Sequence, residues 1–194
     1  MSTDTAIVRE VDGRMLPVPG DWAIDPGHSR LAFDCGHMGL TRLHGLFGSF
    51  SGDFHIAEVP EESWVEVTID ADSIQMASPP IVAGLKSENF LTVEQYPNIT
   101  FKSTRVRHVD GDDWEVAGDL TVKDTTCEVL LAATFGGALT LPEQVGGASK
   151  LGFVATTSFD RRDFGLEWNV PLPGGRWLVG NRVGLTLDVE AVLG

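Results

Sequence analysis

The 194-residue chain is poor in the residues that staple, anchor or ligate: it has two cysteines, Cys35 and Cys127, and a single tyrosine. With no Cys-x-x-Cys and no Cys/His cluster, neither a disulfide framework nor a zinc site is written into it, and two reduced, buried thiols are expected. No stretch approaches the roughly 18 consecutive apolar residues of a membrane-spanning helix. Positive charge is scarce as well, with 14 Lys and Arg against 28 Asp and Glu and a formal net charge of −14. Such a surface repels nucleic-acid phosphates and anionic membrane faces, so neither is expected as a partner. Catalytic signatures are missing too. There is no Gly-x-Ser-x-Gly, no phosphate-cradling Gly-x-Gly-x-x-Gly or Gly-x-x-x-x-Gly-Lys, and neither cysteine stands in a recognisable catalytic setting. His37 and His44 lack a third ligand at a recognised spacing. No enzymatic activity, cofactor or metal is therefore expected.

What the chain does have is enough apolar content, 42%, for one domain with a sizeable core. Residues 1–20 are polar, end in Leu-Pro-Val-Pro-Gly and hold no sustained period, so they read as an extended arm leading into a domain over 21–194. They show no basic start followed by an apolar run of signal-peptide length, which sets the expectation of a cytoplasmic protein.

From Trp22 onward the hydrophobic period is two. Leu31, Phe33 and Cys35 alternate with polar or small residues, as do Phe50, Gly52, Phe54 and Ile56, and then Val65, Val67, Ile69 and Ala71. Ile99 and Phe101 open a fourth strand that drifts in phase before His108, as a β-bulge would make it do. Trp114, Val116, Gly118, Leu120 and Val122 mark a fifth strand, and Val129, Leu131, Ala133 and Phe135 a sixth. Leu151, Phe153, Ala155, Thr157 and Phe159 mark a seventh, and Val183, Leu185, Leu187, Val189 and Ala191 an eighth. Two stretches break the pattern and are predicted as short helices: His37–His44, and Pro79–Leu91 behind its tandem prolines. A third helical or irregular piece falls around Asp163–Trp168. Eight half-buried strands bury their apolar faces either as a sandwich or as a barrel whose bore holds side chains or one small ligand, and alternation alone does not separate the two.

Several segments, in order and spacing, resemble the YceI-like family of polyisoprenoid-binding proteins. They are Trp-Ala-Ile-Asp-Pro-Gly-His-Ser at 22–29, His-Met-Gly-Leu at 37–40, and Gly-Leu-Phe-Gly-Ser-Phe-Ser-Gly-Asp-Phe at 45–54. Further on come Leu-Lys-Ser-Glu-Asn-Phe-Leu at 85–91, Tyr-Pro-Asn-Ile-Thr-Phe-Lys-Ser-Thr at 96–104, Gly-Asp-Leu-Thr-Val-Lys at 118–123 and Asp-Arg-Arg-Asp-Phe-Gly-Leu at 160–166. The resemblance spans about Trp22 to Val192. Two features depart from it: Gly84 stands where the family usually carries His, and the secretion signal of many members is missing. The resemblance implies an eight-stranded antiparallel lipocalin-like barrel with short helices between strands. It implies a long isoprenoid or fatty-acid-like chain inside, no cofactor, and often a homodimer.

On this reading the ligand would meet Leu31, Phe33, Val67, Ile69, Val116, Leu120, Phe153, Phe159 and Leu185 in the bore, with Gly118, Ala133 and Ala155 leaving room. Leu40, Phe47, Phe90, Phe164 and Trp168 would touch ligand or plug the ends. A polar head group would sit at a mouth near His28, His37, His44, Arg161 and Arg162. His37 continues the inward parity of Cys35 and is a donor to ligand or a hydrogen-bonded core histidine, while Arg161 is expected to pair with Asp160 or Asp163. Two alternatives remain: a lipid-acting enzyme using His37 or a carboxylate in the same cavity, and a ligand-free interaction module with a solid interior.

Overall fold

Residues 7–194 are described in a computed structural model of the chain, and most of their regular structure is antiparallel strand. In chain order the strands are β1 (Val8–Val11), β2 (Arg14–Pro17), β3 (Gly20–Ile24), β4 (Arg30–His37), β5 (Thr41–Phe47), β6 (Phe50–Ile56), β7 (Trp64–Asp70), β8 (Ile74–Met76), β9 (Asn98–Asp110), β10 (Asp113–Val122), β11 (Thr125–Thr140), β12 (Ser149–Asp160), β13 (Pro171–Leu172), β14 (Arg176–Trp177) and β15 (Val179–Leu193). One α-helix, α1 (Pro79–Lys86), precedes β9.

Three pairs of these strands are single staves of one wall. β3 and β4 both pair with β15 and are interrupted only by residues 25–29. β6 pairs with β3 and β5 with β4, so β5 and β6 run on as one. The same holds for β7 and β8, which pair with β6 and β5. With β9, β10, β11, β12 and β15 this makes eight staves, each bonded to the next in sequence, and β15 closes the circle against β12 from Arg182 to Val192. The architecture is thus a closed antiparallel barrel and not a sandwich.

Side-chain parity follows the sequence. On β11, Val129, Leu131, Ala133 and Phe135 are buried while Glu128, Leu130, Ala132 and Thr134 face solvent. The phase drift on β9 is a bulge: the register passes from Arg105↔Ala117 to Ser103↔Gly118 and leaves Thr104 as the extra residue. Gly118 does not leave room in the bore. The Phe101 ring lies across it, and a Cβ there would also stand 2.6 Å from the Lys102 carbonyl oxygen.

The two ends of the barrel differ. At one end Phe33, Phe47, Val82, Leu85, Phe159 and Phe164 join the main apolar cluster and plug the bore. Helix α1 lies at this end, its Pro79 and Pro80 in the first turn where no N–H is needed. The stretch around 163–168 is a 3-10 turn, Arg161–Phe164, followed by irregular chain. His37–His44 is not helical: Met38 (φ 56°) and Gly39 (φ 65°) are both left-handed and turn β4 tightly into β5. Cys35 and Cys127 are free and half-buried, not buried, because both sit near strand ends at this rim.

At the other end the segment read as an extended arm folds back as a hairpin, β1 against β2, while residues 1–6 lie outside the described residues. Its turn is Asp12-Gly13, both at positive φ (51° and 78°), which matches the twist of the flanking strands. Leu16 is buried on the barrel side of this hairpin, and Val11 packs against the same core.

A polar latch holds the corner at 25–29 where β3 passes into β4. The Ser29 hydroxyl donates to the Glu190 carbonyl at 3.1 Å and accepts from the Glu190 N–H at 2.9 Å, and the Asp25 N–H donates to the same carbonyl at 2.8 Å. The Asp25 carboxylate accepts from the Gly27 N–H at 3.0 Å, contacts His28 Nδ1 at 2.8 Å and pairs with Lys150 at 3.2 Å. Lys150 also pairs with Glu190. The bonds from His28 and Lys150 hold the Asp25 carboxyl below its usual range, and the bond to Glu190 raises the Lys150 ammonium.

Two outcomes follow. Gly118→Ala displaces Phe101 and is expected to cost about 1–3 kcal/mol of unfolding free energy in urea titrations. A depressed carboxyl stabilises the fold above the ordinary carboxylate range and loses that contribution as pH falls through its folded value. Asp25→Asn should therefore lower the melting temperature at neutral pH and leave it unchanged in strongly acidic buffer; an equal loss at both pH values would refute the charge latch.

Candidate ligand-binding cavity

Inward residues that meet no partner across the bore leave a hollow. The barrel encloses a cavity of about 210 Å³ whose wall includes Val65, Val67 and Ile69 on β7, Phe101 on β9, and Val116 and Leu120 on β10. Leu131 and Ala133 on β11, Phe153 and Ala155 on β12, and Leu185 and Leu187 on β15 complete the circumference. Val65, Val67, Ile69, Val116, Phe153, Leu185 and Leu187 point inward yet are only half-buried. In a solid core of this size, side chains at such positions would be sealed by neighbours. Here the interior itself keeps them accessible.

Chemically the wall is almost wholly apolar. Among the described residues that line it there is no Asp or Glu, and the side chains bearing charge or hydroxyl are Arg9, His55, Ser63 and Thr157. All but Thr157 lie at the hairpin end. Trp64, 42% exposed, and Pro60 also line the cavity there, so this is where the bore opens. His55 Nδ1 lies 2.7 Å from the Asp21 carboxylate, and its ring stacks on Trp64 with centroids 6.3 Å apart.

The mouth is thus opposite the end expected from the sequence. His28 belongs to the latch, His44 is exposed on β5, Arg162 is paired with Asp160 at 2.5 Å, and Arg161 sits at the plugged end. The reason lies in the chain itself: Phe33, Phe47 and Phe159 on the strands and Phe164 in a turn fill that end, while the hairpin brings Arg9, Leu16 and Pro17 to the cavity at the other.

Of the candidate residues, Leu31, Val67, Ile69, Val116, Leu120, Phe153 and Leu185 line the cavity. Phe33 and Phe47 pack on each other, centroids 5.6 Å apart, and Phe159 meets Phe164 at 5.0 Å in the plug. Phe90 and Trp168 form an edge contact at 5.4 Å. Leu40 is 66% exposed at the β4–β5 turn, and His37, at the end of β4, is half-buried beside Thr41 and Val179. Sequence parity had already marked Val129, Leu131 and Ala133 as inward, although not as lining. The mouth residues Arg9, Leu16 and Pro17 escaped it. The signal was there in Asp12-Gly13 between two short alternating runs, a hairpin signature.

At the plugged end Arg161 is buried, 2% exposed, and makes no ion pair among the described residues. Its Nε donates to the Gly180 carbonyl at 3.0 Å, its Nη1 to the Leu166 carbonyl, and its guanidinium carbon lies 5.9 Å from the Phe90 ring centroid. The expected pairing with Asp160 is made by Arg162 instead, which holds the Asp160 carboxyl down at about 2. Arg161 points inward, where backbone carbonyls are its acceptors. Cys35 donates to the same Gly180 carbonyl at 3.2 Å, and burial pushes its thiol above the ordinary range, so it stays neutral near pH 7 and is a poor nucleophile. Asp25, His28 and Glu190 place three potential ligand atoms within 4.8 Å of one another, but the cation among them is Lys150. No described helix is long and apolar enough to cross a membrane.

Comparison with known proteins agrees with this architecture. The structure is similar to BcnA of Burkholderia cenocepacia, with a TM-score of 0.72 at 17% identity over 86% of this chain and 98% of that one. It is also similar to a polyisoprenoid binding domain from Saccharophagus degradans, with a TM-score of 0.60 at 13% identity over 89% and 98%. In sequence the chain is 34% identical to protein YceI of Escherichia coli over 77% of its own length and 78% of that protein. It is 31% identical to a UPF0312 protein of Vibrio parahaemolyticus over 89% and 87%. The YceI-like domain matches residues 22–191, and the chain belongs to that family.

Proposed function

We propose that this protein binds a long apolar molecule, an isoprenoid or a fatty-acid-like chain, inside the barrel and acts as its carrier or sensor. The observation that carries the reading is the hollow of about 210 Å³ with an almost wholly apolar wall and one open end. Each methylene moved from water into such a wall contributes about 0.8 kcal/mol, against an association cost of about 4–15 kcal/mol. Useful affinity therefore requires a long chain, and selection is by length and shape. The polyisoprenoid binding domain of Saccharophagus degradans, which shares the fold, supports the isoprenoid class.

The chemistry of the wall favours a carrier over a lipid-acting enzyme. General acid–base catalysis needs a titratable group within reach of the substrate. His37 is not among the lining residues, no carboxylate is, and His55 stands at the mouth already paired with Asp21. A ligand-free module would need the interior filled, and the half-buried inward residues speak against that.

Ala133 and Ala155 sit side by side on β11 and β12 and both line the hollow. Ala133→Leu with Ala155→Leu should weaken binding of a long-chain probe at least tenfold and leave the melting temperature unchanged or raised. If the interior were solid, the same change would overpack it and cost about 1–3 kcal/mol per site. Native mass spectrometry of freshly purified protein should show a stoichiometric long-chain lipid that leaves on denaturation; a clean apo mass with no uptake of added isoprenoid would sink the reading.

A further inference from the structure

The β1–β2 hairpin lies outside residues 22–191, where the YceI-like domain matches, yet it supplies Arg9, Leu16 and Pro17 to the cavity wall. Its register pairs Arg9 with Leu16 and Val11 with Arg14, so these four side chains share one face. That face is turned to the barrel: Leu16 is 4% exposed, Val11 packs on the core, and the Arg14 guanidinium carbon lies 5.8 Å from the ring centroid of Trp114, itself a lining residue. Two guanidiniums therefore stand over the open end of an apolar bore.

Among the described residues, neither finds acceptors for all of its N–H groups. Arg9 Nη2 donates to the Ala57 and Glu58 carbonyls at 2.7 and 2.8 Å and Nη1 to the Glu58 carboxylate at 2.7 Å, but its Nε is buried without an acceptor. Arg14 is 3.5 Å from the Asp12 carboxylate, and its Nη1 is likewise buried without an acceptor. Buried N–H groups of a charged side chain without acceptors are costly unless something supplies them. The Glu58 side chain is 82% exposed, so its ion pair contributes little and can be exchanged for another anion. No Asp or Glu lines the cavity among the described residues, so an incoming anion meets no like charge on the wall itself.

We propose that the hairpin is a head-group site selecting amphiphiles with an anionic head, a carboxylate or a phosphate, whose tail runs into the bore. This rests on the lipid-binding reading above and names the ligand class it takes. The guanidinium fork suits both oxyanions, and the exchange of Glu58 for the ligand's head leaves the two backbone carbonyl bonds of Arg9 to hold the hairpin down. Orientation follows: the head at the hairpin, the tail toward the phenylalanine plug.

The test uses delipidated full-length protein at neutral pH and low salt, with Nile red as a neutral reporter displaced by palmitate, hexadecanol or methyl palmitate. Palmitate should bind at least about tenfold more tightly than the alcohol or the ester. Arg9→Gln with Arg14→Gln should abolish that preference, so that the variant binds palmitate and hexadecanol equally, while Arg9→Lys with Arg14→Lys should retain part of it. Equal affinity for all three ligands in the unmutated protein would overturn the head-group site and leave the lipid-binding reading standing; failure of all three to bind would remove both. A preference that survives the Gln pair, or a loss of hexadecanol affinity equal to that of palmitate, would show that the arginines do not read the head.

Discussion

Everything in this protein depends on the closing ladder between β15 and β12. It pairs from Arg182 to Val192 along almost the whole of both strands, so every barrel stave is bonded on both sides over at least part of its length. On its other side β15 holds β3 and β4 in turn, and the step between them is taken up by the Asp25–Ser29 corner. That corner would be a break in the wall without the Ser29 hydroxyl, which meets both the N–H and the carbonyl of Glu190. Closure at eight staves then sets the width of the bore, just enough for side chains or one slender ligand.

Whether such a bore is empty is decided by a few residues. Where a Phe faces a Gly across the pleat, as Phe33 does Gly45 and Phe101 does Gly118, the ring occupies the space the glycine vacates. Toward the α1 end Phe33 joins Phe47, Phe159 and Phe164 and the bore is plugged, while Phe101 stands in the wall of the hollow. Where small residues lie side by side, as Ala133 and Ala155 do on β11 and β12, their methyl groups reach only a short way into the bore and both line the hollow. The cavity is therefore a consequence of how small and large residues are distributed along the staves, not of barrel closure alone.

Charge is arranged around this hollow in two different ways. On the outer wall Lys150 sits between Asp25 and Glu190, and the group acts as a clasp between staves. Arg161, at the plugged end, is kept as a buried cation by carbonyl oxygens and an aromatic face, which fixes the turn at Arg161–Phe164 against β15. In a chain of net charge −14, Arg9 of the hairpin lines the hollow, and Arg14 stands over the ring of the lining residue Trp114.

One strand in each of the eight staves, most of its inward residues and the β9 bulge were legible in the sequence, because each follows from a local rule: a side chain on a strand alternates faces every residue, and a bulge slips the phase. The strands β3, β5 and β8 that complete three of the staves were not. Resemblance to the YceI-like family added closure, which alternation cannot supply, since a sandwich buries the same faces. Parity also named the residues of the bore, but not which end of it is open. That depended on contacts between residues distant in sequence: Phe90 with Trp168 and Phe33 with Phe47 at one end, and Arg9 with the carbonyls of Ala57 and Glu58 at the other. The turn at Met38-Gly39 was misread for a related reason, as its left-handed backbone, which the spacing of apolar residues does not report, rules out a helix. The sequence by itself determined the inside and outside of one strand in every stave; only the tertiary structure decided where the inside is hollow, because a void is the absence of a neighbour, and neighbours across a barrel are set by closure and not by sequence distance.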